Sequence, residues 1–206
     1  MKKSYLLFLV SCLLSCVYTS PPKDQWGGIL AGATNDAMTP MFRAAKRPLY
    51  QEAGGKTMPA NKAPAYMGGL LSKLEDTLRK PGVQINRTGT DIVIILVRSS
   101  VIYTDSPDIS RTGDALLRDL VRILDEYDAT WIEISGYTDA MRNQTNATRL
   151  SKDMADRVGV YFARHGIKPI RMFLIGRGSS NPIADQSDIG RLTNLRIELR
   201  LSAVVK

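Results

Sequence analysis

The stretch Trp131-Ile-Glu-Ile-Ser-Gly-Tyr-Thr-Asp139 decides the reading of this chain. It reads as a strand over Thr130 to Ser135 that runs on to an exposed Thr138-Asp139 at the mouth of a loop. Working outward, Leu150, Met154, Val158, Tyr161 and Phe162 recur at helical spacing. They predict a helix from about Thr148 to His165, stopped by Gly166 at the C′ position. Upstream, Leu116, Leu117, Leu120, Val121, Ile123 and Leu124 predict another helix from about Thr112 to Tyr127. Downstream, a strand over Arg171 to Ile175 is followed by Gly176-Arg-Gly178, Gly190-Arg191 and Asn194-Leu-Arg196. The last strand alternates, with Leu195, Ile197, Leu199 and Leu201 inward and Arg196, Glu198 and Arg200 outward.

A strand pair precedes these elements: Val83 to Arg87, a turn at Thr88-Gly89, then Asp91 to Val97. The second run is apolar throughout, as expected of a strand buried on both faces in mid-sheet. The sum is a βαβαββ unit of α+β class, one mixed sheet with both helices on one face. The sequence shows no internal repeat and no second domain.

The order of these pieces resembles the OmpA-like domain, the module that holds bacterial outer membranes onto peptidoglycan. The resemblance covers about Val83 to Ala203. It rests on Gly136-x-Thr138-Asp139, Leu150-Ser151, Ala155, Gly166-Ile167, Gly176-x-Gly178, Pro182-Ile-Ala184, Gly190-Arg191, Asn194 and Arg196-Ile-Glu198. In members that bind peptidoglycan, the ligand is the diaminopimelate side chain of the stem peptide, with an ammonium and a carboxylate close together. Such a receptor needs one fixed anion and one fixed cation, ideally an arginine for bidentate capture.

The resemblance makes Asp139 the anion, with Thr138 beside it; an Asp that only caps its own turn is the plainer alternative. The family cation is an Arg in Leu-Ser-x-x-Arg-Ala, and that position is Met154 here, followed by the expected Ala155. Met154 continues the apolar stripe of its helix and reads as core. Other departures are Tyr137 for the usual His, Arg142 for a Gly, and Ala147 for the Asn before Leu-Ser, with Asn146 next to it. Arg157, one turn beyond Met154, and Arg142, just after Asp139, are the candidate replacements for the lost cation; each on its own also reads as a surface charge. In the family, the residues matching Arg191 and Asn194 brace the loops around the pocket, and Arg191 is expected to pair with Asp139.

The start of the chain reads as targeting rather than structure. Lys2-Lys3 and the apolar run Tyr5 to Leu14 have the shape of a secretory signal over residues 1–15, too short to span a bilayer. Leu13-Leu14-Ser15-Cys16 resembles a bacterial lipobox, which makes Cys16 the expected site of acylation and outer-membrane lipid its partner; Cys12 is the alternative. Val17, not Asp, follows Cys16, which favours the outer membrane. Residues 16–66 are rich in Pro and Gly and sustain no period, so they read as a linker with a span of roughly 40 Å. Leu70, Leu71, Leu74 and Leu78 give a short helix within 67–81, and the folded domain is expected over 82–206.

The formal charge of +8 divides into +6 over residues 1–80 and +2 over the rest. The excess therefore sits outside the expected domain, and no basic run interleaved with aromatics points to nucleic acid. Both cysteines lie in the leader, which removes a disulfide or thiolate metal site from the domain. No Ser-His-Asp set, metal cluster or phosphate loop is present, so neither an enzyme nor a cofactor is expected. Two roles remain. One is a wall-binding anchor. The other is a structural subunit of an envelope machine whose partners are proteins, as in the small OmpA-like lipoproteins (DotK/IcmN type) of type IVB (Dot/Icm) secretion systems.

Overall fold

The structure, a computed structural model, describes residues 28–103, 106, 108–140 and 143–206. The expected signal, Cys12, Cys16, Val17 and Arg142 lie outside the described residues. Five strands form one mixed sheet: β1 (Val83–Thr88), β2 (Asp91–Val97), β3 (Thr130–Tyr137), β4 (Met172–Gly176) and β5 (Arg196–Ala203). Their order is β1-β2-β5-β3-β4. All neighbours run antiparallel except β3 and β4, whose parallel register pairs Ile132 with Met172 and Gly136 with Gly176. A parallel pair needs a crossover, and a long helix, Gln144–Arg164, provides it.

The helices in chain order are α1 (Pro40–Glu52), α2 (Ala63–Thr77), α3 (Arg98–Val101), α4 (Arg111–Glu126), α5 (Gln144–Arg164) and α6 (Asp188–Asn194). One face of the sheet, carrying Ile94, Ile132, Ile134, Leu174, Ile197, Leu199 and Leu201, packs with α2, α4 and α5 into the main core. Leu116, Leu117, Leu120, Ile123 and Leu124 of α4 are all buried there, as the periodicity predicted. Met154 is 1% exposed in the same core. Ser110 caps α4 by accepting from the Gly113 amide, and Asn143 caps α5 by accepting from Asn146. That cap starts α5 at Gln144, one turn before the expected Thr148. None of the helices among the described residues is long and apolar enough to cross a membrane.

One expectation is corrected. The helices α4 and α5 share one face of the sheet as expected, but residues 28–66 are not linker throughout, and their helix α1 covers the other face. Thr34 bridges to Phe173 at the β4 edge, with its amide on the Met172 carbonyl and its carbonyl accepting from Leu174. The chain then crosses to the far face of the sheet as α1 and returns at Met58, whose amide donates to Val204. Thr39 caps α1 and Pro40 opens it, both favourable at a helix start. Tyr50 of α1 packs on Trp131 at 5.4 Å between ring centroids, and Trp131 stands edge-on to Phe173 at 5.8 Å. With Met38 and Val204 these form a second core. The helical period of this segment was hidden because its inner row is Phe42, Lys46 and Tyr50, a stripe interrupted by a lysine, and because Pro48 sits inside the helix.

Lys46 is 7% exposed. Its ammonium donates to the Met172 carbonyl at 2.8 Å and lies 4.4 Å above the Phe173 ring. Burial lowers its pKa from 10.5 to about 8. Between those values the unfolded chain binds the extra proton, so stability rises as pH climbs through this window, and the full cost is felt below pH 8. The linkage amounts to about 3 kcal/mol, less about 1 kcal/mol for the lost hydrogen bond. Lys46→Met is therefore expected to stabilise the protein at pH 7 by about 1–2 kcal/mol. Its advantage should shrink by pH 9.5. Urea midpoints at the two pH values check both statements; equal advantages at both would show that Lys46 does not titrate as stated.

Candidate ligand-binding site

The site forms where β3 ends against the first turns of α5. A Cβ on Gly136 would overlap the Ser151 carbonyl oxygen, and one on Gly176 would press on Thr148 and Lys152. Glycine at both places lets the strand ends touch the helix backbone directly. Ser151 then ties the loop down: its hydroxyl donates to the Thr148 carbonyl and accepts from the Gly178 amide. Gly178 holds φ +57°, a conformation that suits glycine, and its carbonyl accepts from Thr138 at 2.8 Å. The separate Gly-x-Thr-Asp, Leu-Ser and Gly-x-Gly signals are thus one hydrogen-bonded joint.

Asp139 lies just beyond this joint. It was expected to be exposed, and it is 8% exposed. Its Oδ2 accepts from Arg191 Nε at 2.8 Å, the pairing expected from sequence. Its Oδ1 is buried with no hydrogen-bond partner among the described residues, and so is the neighbouring Thr138 hydroxyl. A buried carboxylate oxygen and a buried hydroxyl left without donors cost free energy unless a ligand or solvent satisfies them.

Arg191 belongs to α6, a seven-residue helix with no sustained apolar period to announce it. Ser187 caps α6 by accepting from Gly190. Asp185 accepts from the Ser187 amide and hydroxyl, and these bonds hold its carboxyl below the usual range. A Cβ on Gly190 would collide with Asp185, which accounts for the Gly190-Arg191 pair. Asn194, fully buried, closes the unit. Its Oδ1 accepts from Ile183 and Ala184, and its Nδ2 donates to the Ala184 carbonyl. It braces the loop over Ile183 and Ala184.

Arg196, expected to point outward, is 1% exposed. Its guanidinium lies 3.8 Å from the Tyr137 ring centre, donates to Glu198 at 2.7 Å and donates to the Asn181 carbonyl at 2.9 Å. Tyr137, in the place of the family histidine, is thus a platform for a buried arginine. Burial and the Glu198 charge raise its pKa.

Residues 103–194 match the model of the OmpA family. The chain carries an OmpA-like domain. It is 31% identical over 138 residues to the probable lipoprotein YiaD of Escherichia coli, an alignment that covers 66% of this chain and 63% of that protein. The chain therefore spans a little under two thirds of that relative's length. Its fold is similar to a putative MotB-like protein from Desulfovibrio vulgaris, with TM-score 0.62, 18% identity, and coverage of 69% of this chain and 94% of the other. It is similar also to the cell wall anchor of the T6SS from Pseudomonas aeruginosa, with TM-score 0.57, 19% identity, and coverage of 65% and 96%.

Of the residues singled out in the sequence, the OmpA-like domain brings Thr138, Asp139 and Arg191 together, with Asn194 behind them. Asn146 is exposed in the first turn of α5. Arg157 is six residues past Ser151, about 9 Å further along α5 and away from Asp139, and it has interactions of its own. Met154 is sealed in the core, so no ligand reaches that position. Nothing local in the sequence reveals the contacts of Ser151, or of Arg196 with Tyr137. The matching Leu-Ser and Asn-x-Arg signals marked their positions, but their partners lie far off in sequence. Among the described residues, no group of three or more His, Cys, Asp or Glu side chains is placed to hold a metal ion.

Proposed function

We propose that this domain ties the bacterial envelope to peptidoglycan by holding an ammonium group of the stem peptide at Asp139. The observation that carries the reading is the pair of buried oxygens, Asp139 Oδ1 and the Thr138 hydroxyl, that lack donors beside a carboxylate already fixed by Arg191. An ammonium brings three donors and a positive charge to that spot. Arg191 is half exposed and spends its Nε on Asp139, which leaves its terminal amino groups for the ligand's carboxylate. It takes the part that Met154 cannot. The relatives support the setting: one is called a probable lipoprotein and another a cell wall anchor. On this reading, Cys16 is acylated and the domain sits on the periplasmic face of the outer membrane.

A second reading has its own support. Ile183, Ile189 and Leu192 are exposed around Arg191, Ile189 at 80%. An apolar rim at the mouth of a weakened ligand site suits a structural subunit of an envelope complex, such as a type IVB secretion core.

Sedimentation with isolated peptidoglycan separates the two. Wild type is expected to bind, and Asp139→Ala to bind roughly a hundredfold more weakly, the worth of one charge-assisted pair. Arg191→Ala should weaken binding as well, with both variants keeping the wild-type circular dichroism. Absence of wild-type binding, together with recovery of envelope proteins on the Ile189 face, would replace the anchor by the scaffold.

A further inference from the structure

We infer a second binding surface, formed by α1 and the end of the sheet beneath it, that docks on an anionic phospholipid bilayer. It stands apart from the wall site and does not rest on that reading. Trp131, at its floor, lies in the first residues of β3, and Asp139 follows the other end of that strand; eight residues of extended chain put the two about 26 Å apart.

The helix divides into three sectors. Phe42, Lys46 and Tyr50 face the sheet. Arg43, Ala44 and Arg47 line an open groove of about 210 Å³ with Trp131, Ala203 and Val205. Met41, Ala44, Ala45, Pro48 and Leu49 are exposed, Met41 at 68% and Leu49 at 54%. This outward arc carries no charge until Glu52 at the helix end. Solvent-facing helix surfaces are normally polar, so the arc is the wrong way out for a helix whose only partner is its own sheet.

The arrangement fits a membrane surface. An interfacial helix lays an apolar face into the acyl boundary and keeps cations along its border. Here the border is Arg43 and Arg47, one turn apart, adjoining the apolar arc through Ala44. Each anchors one Nη1 amino group on the sheet, Arg43 to the Ser202 hydroxyl and Arg47 to the Val205 carbonyl. The rest of each guanidinium remains for a phosphodiester. Among the described residues, no acidic side chain lines the groove. A protein partner would need shaped pockets for Met41 and Leu49, whereas a fluid acyl boundary takes both without them. Docking would hold the domain against the bilayer by the face of the sheet opposite α4 and α5, with Asp139 displaced along β3 from the docked surface.

The test uses the full chain with Cys12→Ser and Cys16→Ser, which leaves no native thiol. A polarity-sensitive fluorophore is placed at Met41→Cys, and in a second protein at Arg118→Cys on α4. Vesicles of phosphatidylcholine with an equal part of phosphatidylglycerol are compared with phosphatidylcholine alone. The expected result is a blue shift at position 41 with the anionic vesicles only, and none at position 118. Leu49→Asp, an exposed change that leaves folding intact, and Arg43→Gln with Arg47→Gln should each weaken vesicle affinity at least tenfold. An unshifted label at 41, or variants as tight as the parent, would mean that the leader alone carries the chain to the vesicle, and would overturn the inference. A shift produced by an acidic leucine–glutamate heptapeptide but not by vesicles would reassign the surface to a protein partner and overturn it equally.

Discussion

Gly136→Ala is expected to destabilise the protein by about 4 kcal/mol, lowering the melting temperature by roughly 8–16 °C. The added methyl would overlap the Ser151 carbonyl oxygen. That oxygen is helix backbone and cannot rotate away as a side chain can. Relief requires α5 to lift from β3, and α5 contributes Met154, Ala155, Val158 and Phe162 to the main core. The same movement pulls Ser151 from Gly178 and loosens the Thr138 amide from the Gly178 carbonyl. Peptidoglycan retention should therefore fall with stability, although Gly136 touches no ligand. Gly68→Ala is the control. It lies within α2 with nothing near its Cβ position, and alanine there should stabilise by about 0.5–1 kcal/mol. Thermal melts of the two variants check the pair of signs. A Gly136→Ala protein that melts with wild type would show that the strand and helix do not meet this closely.

The readable part of this fold is the part that faces one uniform environment. β5 alternates in sequence, and Ile197, Leu199 and Leu201 are buried as that pattern predicts. The α4 and α5 stripes point where their period says. Met154 was readable as core because its helical neighbours are apolar, and that alone removed the expected cation from the pocket. Asp139 with Arg191 was readable only through resemblance, since 52 residues separate them.

The misread residues share another cause. Their polar groups are satisfied by distant backbone or aromatic faces that no local pattern reveals. Arg196 looks like a solvent residue on an alternating strand, yet its partners are the Asn181 carbonyl, Glu198 and the Tyr137 ring. Lys46 breaks the inner stripe of α1 because its ammonium is taken up by the Met172 carbonyl and Phe173. The far face of the sheet is covered by a segment whose composition is that of a linker. Its order comes from Tyr50 on Trp131 and from two short backbone joints at Thr34 and Met58.

Arg171→Leu is expected to cost about 3–5 kcal/mol, the scale for leaving three buried acceptors without donors. Arg171 is 2% exposed, and among the described residues no acidic side chain hydrogen-bonds to it. Burial lowers its pKa, but an arginine starts so high that it stays charged. Three backbone carbonyls hold it: Thr130 through Nε at 2.9 Å, Leu124 through Nη1 at 2.9 Å and Tyr127 through Nη2 at 3.0 Å. Leu124 and Tyr127 lie at the C-terminal end of α4, where carbonyls lack helical donors and the helix dipole favours a cation. One guanidinium thus finishes α4 and fixes it to the start of β3. Leucine fills the space but strands three buried acceptors, each worth about 1 kcal/mol or more. Lysine should recover little of the loss, because an ammonium on a flexible stem does not reproduce the planar fork that reaches all three. Chemical denaturation of Arg171→Leu and Arg171→Lys tests this. Near-equal losses in both support capping by the fork, whereas full rescue by lysine would mean that charge alone matters there and that the three-carbonyl geometry contributes nothing.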